Sequence, residues 1–294
     1  METPPVDPPM VIASLISLGI LGASLLLWVQ HLRSPKDSVT PAPGISAWSI
    51  GWVNFGIFIC TVVVTIVVVQ TFTVTLFFGA PAEPDSPREL TPWLAIAGVL
   101  LLQLPMLAAF YGLRRFYPAH FAGRLNDADL TPTTAFKQAL PLFIRYLPVV
   151  WLAALLWGGL LGALEAAGLI EGVEPQQLVF LFQAGGDPLP IALLVVLAVV
   201  MAPIAEEIIF RGCLYRFLKS QTTCLPAQLV SGTLFALIHA NLFSFVPLAA
   251  VGVLLARVYE RSSNLLVAIW FHAFFNGFSL LMLYVTSQSE FIPQ

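Results

Sequence analysis

Charge is what this 294-residue chain has least of: 10% of its residues are Asp, Glu, Lys or Arg, against 58% hydrophobic ones. A soluble domain carries about 25% charged residues, so the deficit excludes a soluble globular class and makes a bilayer the expected solvent. No basic run and no basic patch interleaved with aromatics is present, and the net charge is -3. A nucleic-acid partner is therefore excluded. Cysteine is scarce as well. Cys60, Cys213 and Cys224 show neither metal-ligand spacing nor a disulfide framework, and they read as packing residues. The stretch before the first apolar run holds Glu2 and Asp7 but no Lys or Arg. It lacks the basic leader of a secretory signal, so the first span is expected to be retained. A repeat of fixed period is also missing.

What the chain does have is apolar runs. Many are near 20 residues, enough to cross a hydrocarbon core of about 30 Å as helices. Their polar borders predict about eight spans, near 10–29, 46–78, 92–113, 142–168, 189–215, 226–243, 245–259 and 264–286. The fold class is thus all-α, a polytopic membrane helical bundle. The second run is long for one crossing, and Thr71–Phe78 alternates more like a strand than a helix. Residues 174–184 are apolar enough on one side to lie along the outer interface as a short helix.

With the N-terminus outside, Arg33, Lys36, Arg114, Arg115, Arg124, Lys137, Arg216, Lys219, Arg257 and Arg261 fall on one side, while Glu2, Asp7, Glu83, Asp85, Glu89, Glu171, Glu174, Asp187 and Glu290 fall on the other. That bias is the positive-inside pattern and predicts which side is cytoplasmic. The chain divides into residues 1–188, about four spans with little reactive chemistry, residues 189–286, a core carrying ionisable groups, and a short tail at 287–294.

Within that core, one predicted helix contains Ala205-Glu206-Glu207-Ile208-Ile209-Phe210-Arg211-Gly212. A charge inside a membrane helix costs about 2.5–3.5 kcal/mol on insertion scales, so two adjacent carboxylates need compensation or a use. Glu207 and Arg211 are four apart and can pair on one face. Glu206 points about 100° away and is left without that partner. The next helix carries Phe235 and His239, and the last carries His272 and Asn276, again four apart on one face. A lone intramembrane His or Asn is often interhelical glue, and a Glu–Arg pair at this spacing is more often structural than catalytic. Two carboxylates, two histidines and an amide on three helices are harder to explain as independent glue. Together they predict a functional site.

The chemistry available is hydrolysis. Glu206 can act as the base for a water held with His239, and His272 and Asn276 can offer hydrogen bonds to a developing oxyanion. No Ser or Cys has a neighbouring base that would make it a better nucleophile: Ser231 is isolated and Cys213 lies on an apolar background. Zinc is the second possibility, with Glu206, His239 and His272 as ligands and water in the fourth position. No cofactor is required on the first reading. A proton-relaying transporter would also use such groups, but the inverted repeats and paired broken helices of that class are not evident.

Glu206-Glu207-x-x-x-Arg211, Phe235-x-x-x-His239 and His272-x-x-x-Asn276, in this order on three of the last four predicted helices, resemble the motifs of the CAAX prenyl protease 2 family, also called Abi or CPBP intramembrane proteases. The resemblance covers residues 189–280. It implies an eight-helix bundle with a conical cavity opening toward the cytoplasm and the membrane, and an endopeptidase in which Glu206 activates water beside Glu207 and His239. His272 and Asn276 would form the oxyanion site, with Arg211 and Phe235 orienting. The partners it implies are the lipid bilayer and a membrane-associated peptide or protein substrate, CAAX-like or otherwise. Short loops suggest a multi-pass protein of a prokaryotic inner membrane, with its site toward the cytoplasm. The alternative within the same fold is a non-proteolytic bacteriocin-immunity or scaffold protein. Natural substrate and oligomeric state are not given by the resemblance.

Overall fold

A membrane interior offers the backbone no hydrogen-bonding solvent, so apolar runs of this length must satisfy their peptide groups as helices. In the computed structural model, which describes residues 8–33, 44–78, 90–121, 123–184 and 186–288, they do so, and no strand is present among the described residues. The helices are α1 (Pro8–Arg33), α2 (Trp52–Thr73), α3 (Pro92–Phe116), the single turn α4 (Pro118–Phe121), α5 (Pro132–Ala166) and α6 (Gln177–Ala184). One long helix, Pro188–Gln221, is built from α7 (Pro188–Val196), α8 (Ala202–Glu207) and α9 (Arg216–Gln221) joined by π-helical segments at Leu197–Met201 and Ile208–Tyr215. Then come α10 (Cys224–Leu237), α11 (Phe245–Ser262) and α12 (Leu265–Ser287).

Two sequence expectations change. Residues 71–78 are not strand-like: α2 runs on into a π-helical turn at Val74–Phe78, because an isolated extended segment in a bilayer would leave its peptide groups unbonded. Among the described residues six helices, rather than eight, are long and apolar enough to cross a membrane. The sixth expected span, 226–243, becomes α10 of 14 residues, about 21 Å at 1.5 Å per residue. The seventh, α11, ends in Arg257, Glu260 and Arg261. Outward-facing side chains such as Leu25, Leu155, Leu156 and Val53 are more than 60% exposed, the apolar exterior that lipid tolerates and water does not. The chain is a multi-pass membrane protein.

Local signals set the helix ends. Thr91 and Thr131 cap α3 and α5 by accepting from the backbone N–H of Leu94 and Thr134, each with proline in the first turn. Asn264 caps α12 by accepting from Leu266 N at 2.8 Å, and Ser263, in the left-handed region at φ 51°, closes α11 just before it.

The two connections before α2 and α5 are pinned to the core rather than loose. Arg216 donates to the Ser46 carbonyl at 2.7 Å, to Ser46 Oγ at 3.0 Å and to the carbonyl of Arg124. Asp127 accepts from Ser46 N, Asn126 accepts from Leu265 N at 2.7 Å, and Tyr259 donates to the Leu125 carbonyl. Lys219 bridges the Ile45 carbonyl and Glu260, which also accepts from Tyr215. This polar belt lies at one end of the bundle, and the second expected span therefore starts at Trp52 rather than 46.

Helices α10 and α11 cross at backbone contact. A Cβ built on Gly232 would lie 2.6 Å from Val253 N, and one on Gly252 would lie 2.7 Å from Gly232 Cα. Small residues let membrane helices approach this closely. Gly232→Ala is therefore expected to destabilise the protein by at least the roughly 1–3 kcal/mol of core overpacking, because the new methyl meets backbone rather than a movable side chain. A detergent thermal midpoint equal to that of the parent would refute this.

Candidate active site

The long Pro188–Gln221 helix carries both carboxylates, and its irregularity originates in the sequence. Pro203 has no N–H to donate. In the π segment before it, the Ala202 N–H reaches back five residues to the Leu197 carbonyl, so the donor in line for the Ala198 carbonyl would be Pro203. Asn276 Nδ2 supplies the missing hydrogen bond to Ala198 O at 2.8 Å. α12 is thereby tied to the long helix immediately before the Glu206–Glu207 turn. A second π segment begins directly after Glu207. The two carboxylates thus sit on a short α-turn between two wide turns, an interruption characteristic of functional positions.

Glu207 is fully buried and so is Arg211. Arg211 Nη1 donates to Glu207 Oε1 at 3.0 Å, and Arg211 Nη2 donates to the Gly252 carbonyl at 2.9 Å. The close crossing of α10 and α11 brings that carbonyl within reach. The guanidinium carbon also lies 4.5 Å from the centre of the Phe235 ring, a cation–π contact in a desolvated setting. Glu207 Oε1 takes a second hydrogen bond, from His272 Nδ1 at 2.9 Å. Because a carboxylate only accepts, Nδ1 carries the proton, and the other ring nitrogen of a neutral His272 is an acceptor. That nitrogen, Nε2, faces Glu206 Oε2 across 3.9 Å. Glu206 is the more accessible carboxylate, with 14% of its side chain exposed.

Phe235 and His239 complete the cluster. The Phe235 ring is buried with its centre 5.6 Å from His272 and 4.9 Å from His239. His239 Nδ1 pairs with the Phe235 carbonyl at 2.7 Å. The opposite ring nitrogen is left for other partners. His239 lines a cavity of about 510 Å³ together with Leu94, Val99 and Leu102 of α3 and residues 175–177. A second, more apolar groove of about 450 Å³ runs past Ile204, Ile208, Trp270 and Ala273, and begins at Leu125 and Asn126.

Of the residues singled out from the sequence, Glu206, Glu207, Arg211, Phe235, His239 and His272 form one contiguous cluster. Asn276 stands one turn from His272 and donates to Ala198. Sequence reasoning separated Glu206 from the Glu207–Arg211 pair but did not foresee that His272 would bridge the two carboxylates. It also missed the Gly252 carbonyl, for which the signal was a glycine in each of two consecutive apolar helices. For zinc, Glu206, His239 and His272 would have to converge as ligands. Among the described residues no three His, Cys, Asp or Glu side chains are grouped closely enough to hold a metal ion; Nδ1 of each histidine is engaged, which leaves Nε2 of each as its available donor.

Residues 188–278 match the family model of Rce1-like type II CAAX prenyl endopeptidases. Over 149 residues the chain is 28% identical to the Bacillus subtilis (strain 168) protein named "Putative membrane peptidase YdiL", a match covering 50% of this chain and 59% of that one. The chain thus spans about three fifths of the length of this curated relative. No solved structure matches. The matched segment contains every residue of the cluster.

Proposed function

We propose that the protein is an intramembrane endopeptidase that hydrolyses a peptide bond of a membrane-associated substrate with water activated by Glu206, a reading supported by the match of residues 188–278 to the family model of Rce1-like type II CAAX prenyl endopeptidases. The observation that carries this reading is the chain Arg211–Glu207–His272–Glu206. A buried ion pair fixes one carboxylate and, through it, the ring and tautomer of His272, which then faces the freer carboxylate across 3.9 Å. That separation is too long for a direct hydrogen bond and suits a bridging water.

In this reading Glu206 removes a proton from the bridging water as the oxygen attacks the scissile carbonyl. The amide C=O becomes a tetrahedral oxyanion; with Nδ1–H already engaged, a histidine of the cluster donates to it through Nε2–H only as an imidazolium that enters the cycle with that proton and keeps it throughout. Collapse of the intermediate breaks the C–N bond. Glu206 returns its proton to the leaving amine, so the enzyme ends as it began. Glu207 does not touch the substrate; it orients His272. Asn276 holds the bulged helix in place with one Nδ2–H on the Ala198 carbonyl and keeps its second N–H, which is the donor it can offer the oxyanion site.

The bias of basic residues supports a cell-membrane topology with Arg114, Arg115, Arg216 and Lys219 on the cytoplasmic side. The groove that starts at Leu125 and Asn126 then provides access from that side. The test is purified protein in liposomes with a membrane-tethered peptide reporter. A new fragment identified by mass spectrometry is expected, and full activity is expected after exhaustive dialysis against a chelator. Total loss on chelation, restored by stoichiometric zinc, would replace the glutamate mechanism with a metal one. Failure to cleave any tethered reporter, with the protein folded, would favour the binding or scaffold role in the same fold.

A further inference from the structure

Three arginines of the bundle have protein acceptors. Arg211 has Glu207 and the Gly252 carbonyl, Arg216 has Ser46 and the Arg124 carbonyl, and Arg114 has the carbonyls of Phe121 and Gly123. Arg145 differs. It stands part-buried among the apolar residues of α5, and its Nε is enclosed without a hydrogen-bond partner. Nη1 and Nη2 make no hydrogen bond to the described residues either, but they are not enclosed. No carboxylate among the described residues lies within ion-pair distance of it. A cation set in an apolar span is unfavourable unless an anion or an acceptor answers it.

The surroundings show where such an answer lies. Ser24 Oγ and Trp28 Nε1, one turn apart on α1, both donate to the Arg145 carbonyl, at 3.0 and 3.2 Å, which clamps α1 to α5 at this level. The guanidinium carbon is 5.8 Å from the centre of the Trp28 ring. That ring meets Tyr146 at 5.8 Å and His31 at 6.1 Å. Trp28 is five positions before Arg33, the last residue of α1, or about 7.5 Å along the axis. α5 is the fourth crossing and runs antiparallel to α1. Side chains tilt toward the N-terminus of their own helix, so the Arg145 head group snorkels toward the Arg33 end of the bundle. Trp and Tyr rings collect at such interfaces, and His31 and Arg33 are exposed there. Leu25, Leu26 and Leu32 face outward on the same helix end, an apolar surface for an acyl chain.

We propose that Arg145, backed by Trp28, is a binding site for the phosphate of an anionic phospholipid in the leaflet at the Arg33 end of the bundle. The two Nη groups form a fork that matches two phosphate oxygens, and the net negative charge of the lipid compensates a cation that the protein leaves unpaired. A lipid suits the site better than a free phosphate ion because the guanidinium lies below the end of α1 and beside outward-facing leucines. Occupancy bears on the candidate active site through packing. Phe143, two residues from Arg145, sets its ring against Phe271 and Phe274 of α12, the helix that carries His272.

The experiment does not depend on cleavage. Full-length protein in detergent is titrated with phosphatidylglycerol, with phosphatidylcholine and with inorganic phosphate, and bound lipid is counted by native mass spectrometry. Phosphatidylglycerol is expected to bind about tenfold more tightly than phosphatidylcholine and to raise the thermal midpoint, and inorganic phosphate is expected to do neither. Arg145→Met keeps an aliphatic stem against Trp28 and removes the charge. Its preference for phosphatidylglycerol is expected to disappear, the effect of losing charge-assisted hydrogen bonds, while its midpoint without lipid holds or rises because an unpaired cation has gone. Arg145→Lys keeps the charge without the fork; it is expected to fold like the parent and to bind phosphatidylglycerol several-fold more weakly. Equal binding of the two lipids by the parent, or a preference retained in full by either variant, would overturn the proposal. So would a lower lipid-free midpoint of Arg145→Met with its lipid preference intact, the mark of a purely structural arginine. Displacement of bound phosphatidylglycerol by inorganic phosphate would show a free-anion site and overturn the lipid assignment.

Discussion

Glu206→Gln is expected to reduce cleavage of a membrane-tethered reporter by about 10²–10⁴-fold, the range attributed to a positioned general base, while expression and detergent thermal stability stay at the parent level. The separation of effects follows from the geometry. Glutamine has the shape of glutamate and can still bond a water, but it cannot accept the proton that the water must lose. Glu206 carries no direct hydrogen bond shorter than its 3.9 Å approach to His272, and its side chain is partly exposed, so little of the fold depends on its charge. Fragment yield by mass spectrometry and the melting curve of the same preparation decide the matter. Undiminished cleavage by the variant would remove Glu206 from the reaction and shift attention to the acceptor nitrogen of His272. A collapse of stability would mean that its carboxylate holds the bundle together rather than acting on water.

Much of this site was legible in the sequence because helices impose a short-range geometry. The spacing of four between Glu207 and Arg211 required a shared face, and the structure puts the pair at 3.0 Å. The all-helical class followed in the same way from apolar run length. What could not be read is whatever depends on two distant segments meeting. His272 lies 65 positions from Glu207, and no local pattern says which nitrogen it presents. The Asn276 bond to Ala198 arises from the π-helical register that ends at Pro203; the proline was visible, the register was not. Hydropathy also misjudged lengths. It counted α10 as a crossing on composition, although its helix stops at Leu237, and it ran the second span back to residue 46 because Ile45, Trp48 and Ile50 look like membrane residues. Their backbone is instead held by Arg216 and Lys219 at the end of the bundle.

Arg211→Ala is expected to have the largest effect on folding, about 3–5 kcal/mol, the cost of leaving one member of a buried ion pair without its partner. Both side chains are fully buried, so no water can stand in for the missing charge. Glu207 Oε2 already makes no hydrogen bond, which leaves the carboxylate with only His272 after the substitution. The Gly252 carbonyl loses its donor and the Phe235 ring its cation at the same time. Glu207→Gln strands the guanidinium in the same way and is expected to cost a similar amount. Removing both charges, with Glu207→Gln and Arg211→Met together, is expected to recover a large part of the stability, since replacing a buried pair by uncharged groups of similar volume is often neutral or stabilising. Activity is not expected to return with it. In the double variant His272 keeps an amide acceptor for Nδ1 but loses the full negative charge that stabilises its protonated form during the reaction. Thermal midpoints of the four proteins, set against their cleavage rates, separate the two roles: stability is expected to fall in each single variant and rise again in the pair, while rate is expected to stay low in all three. Recovery of rate together with stability would show that the Glu207–Arg211 pair is only a structural clamp and that His272 needs no charged partner.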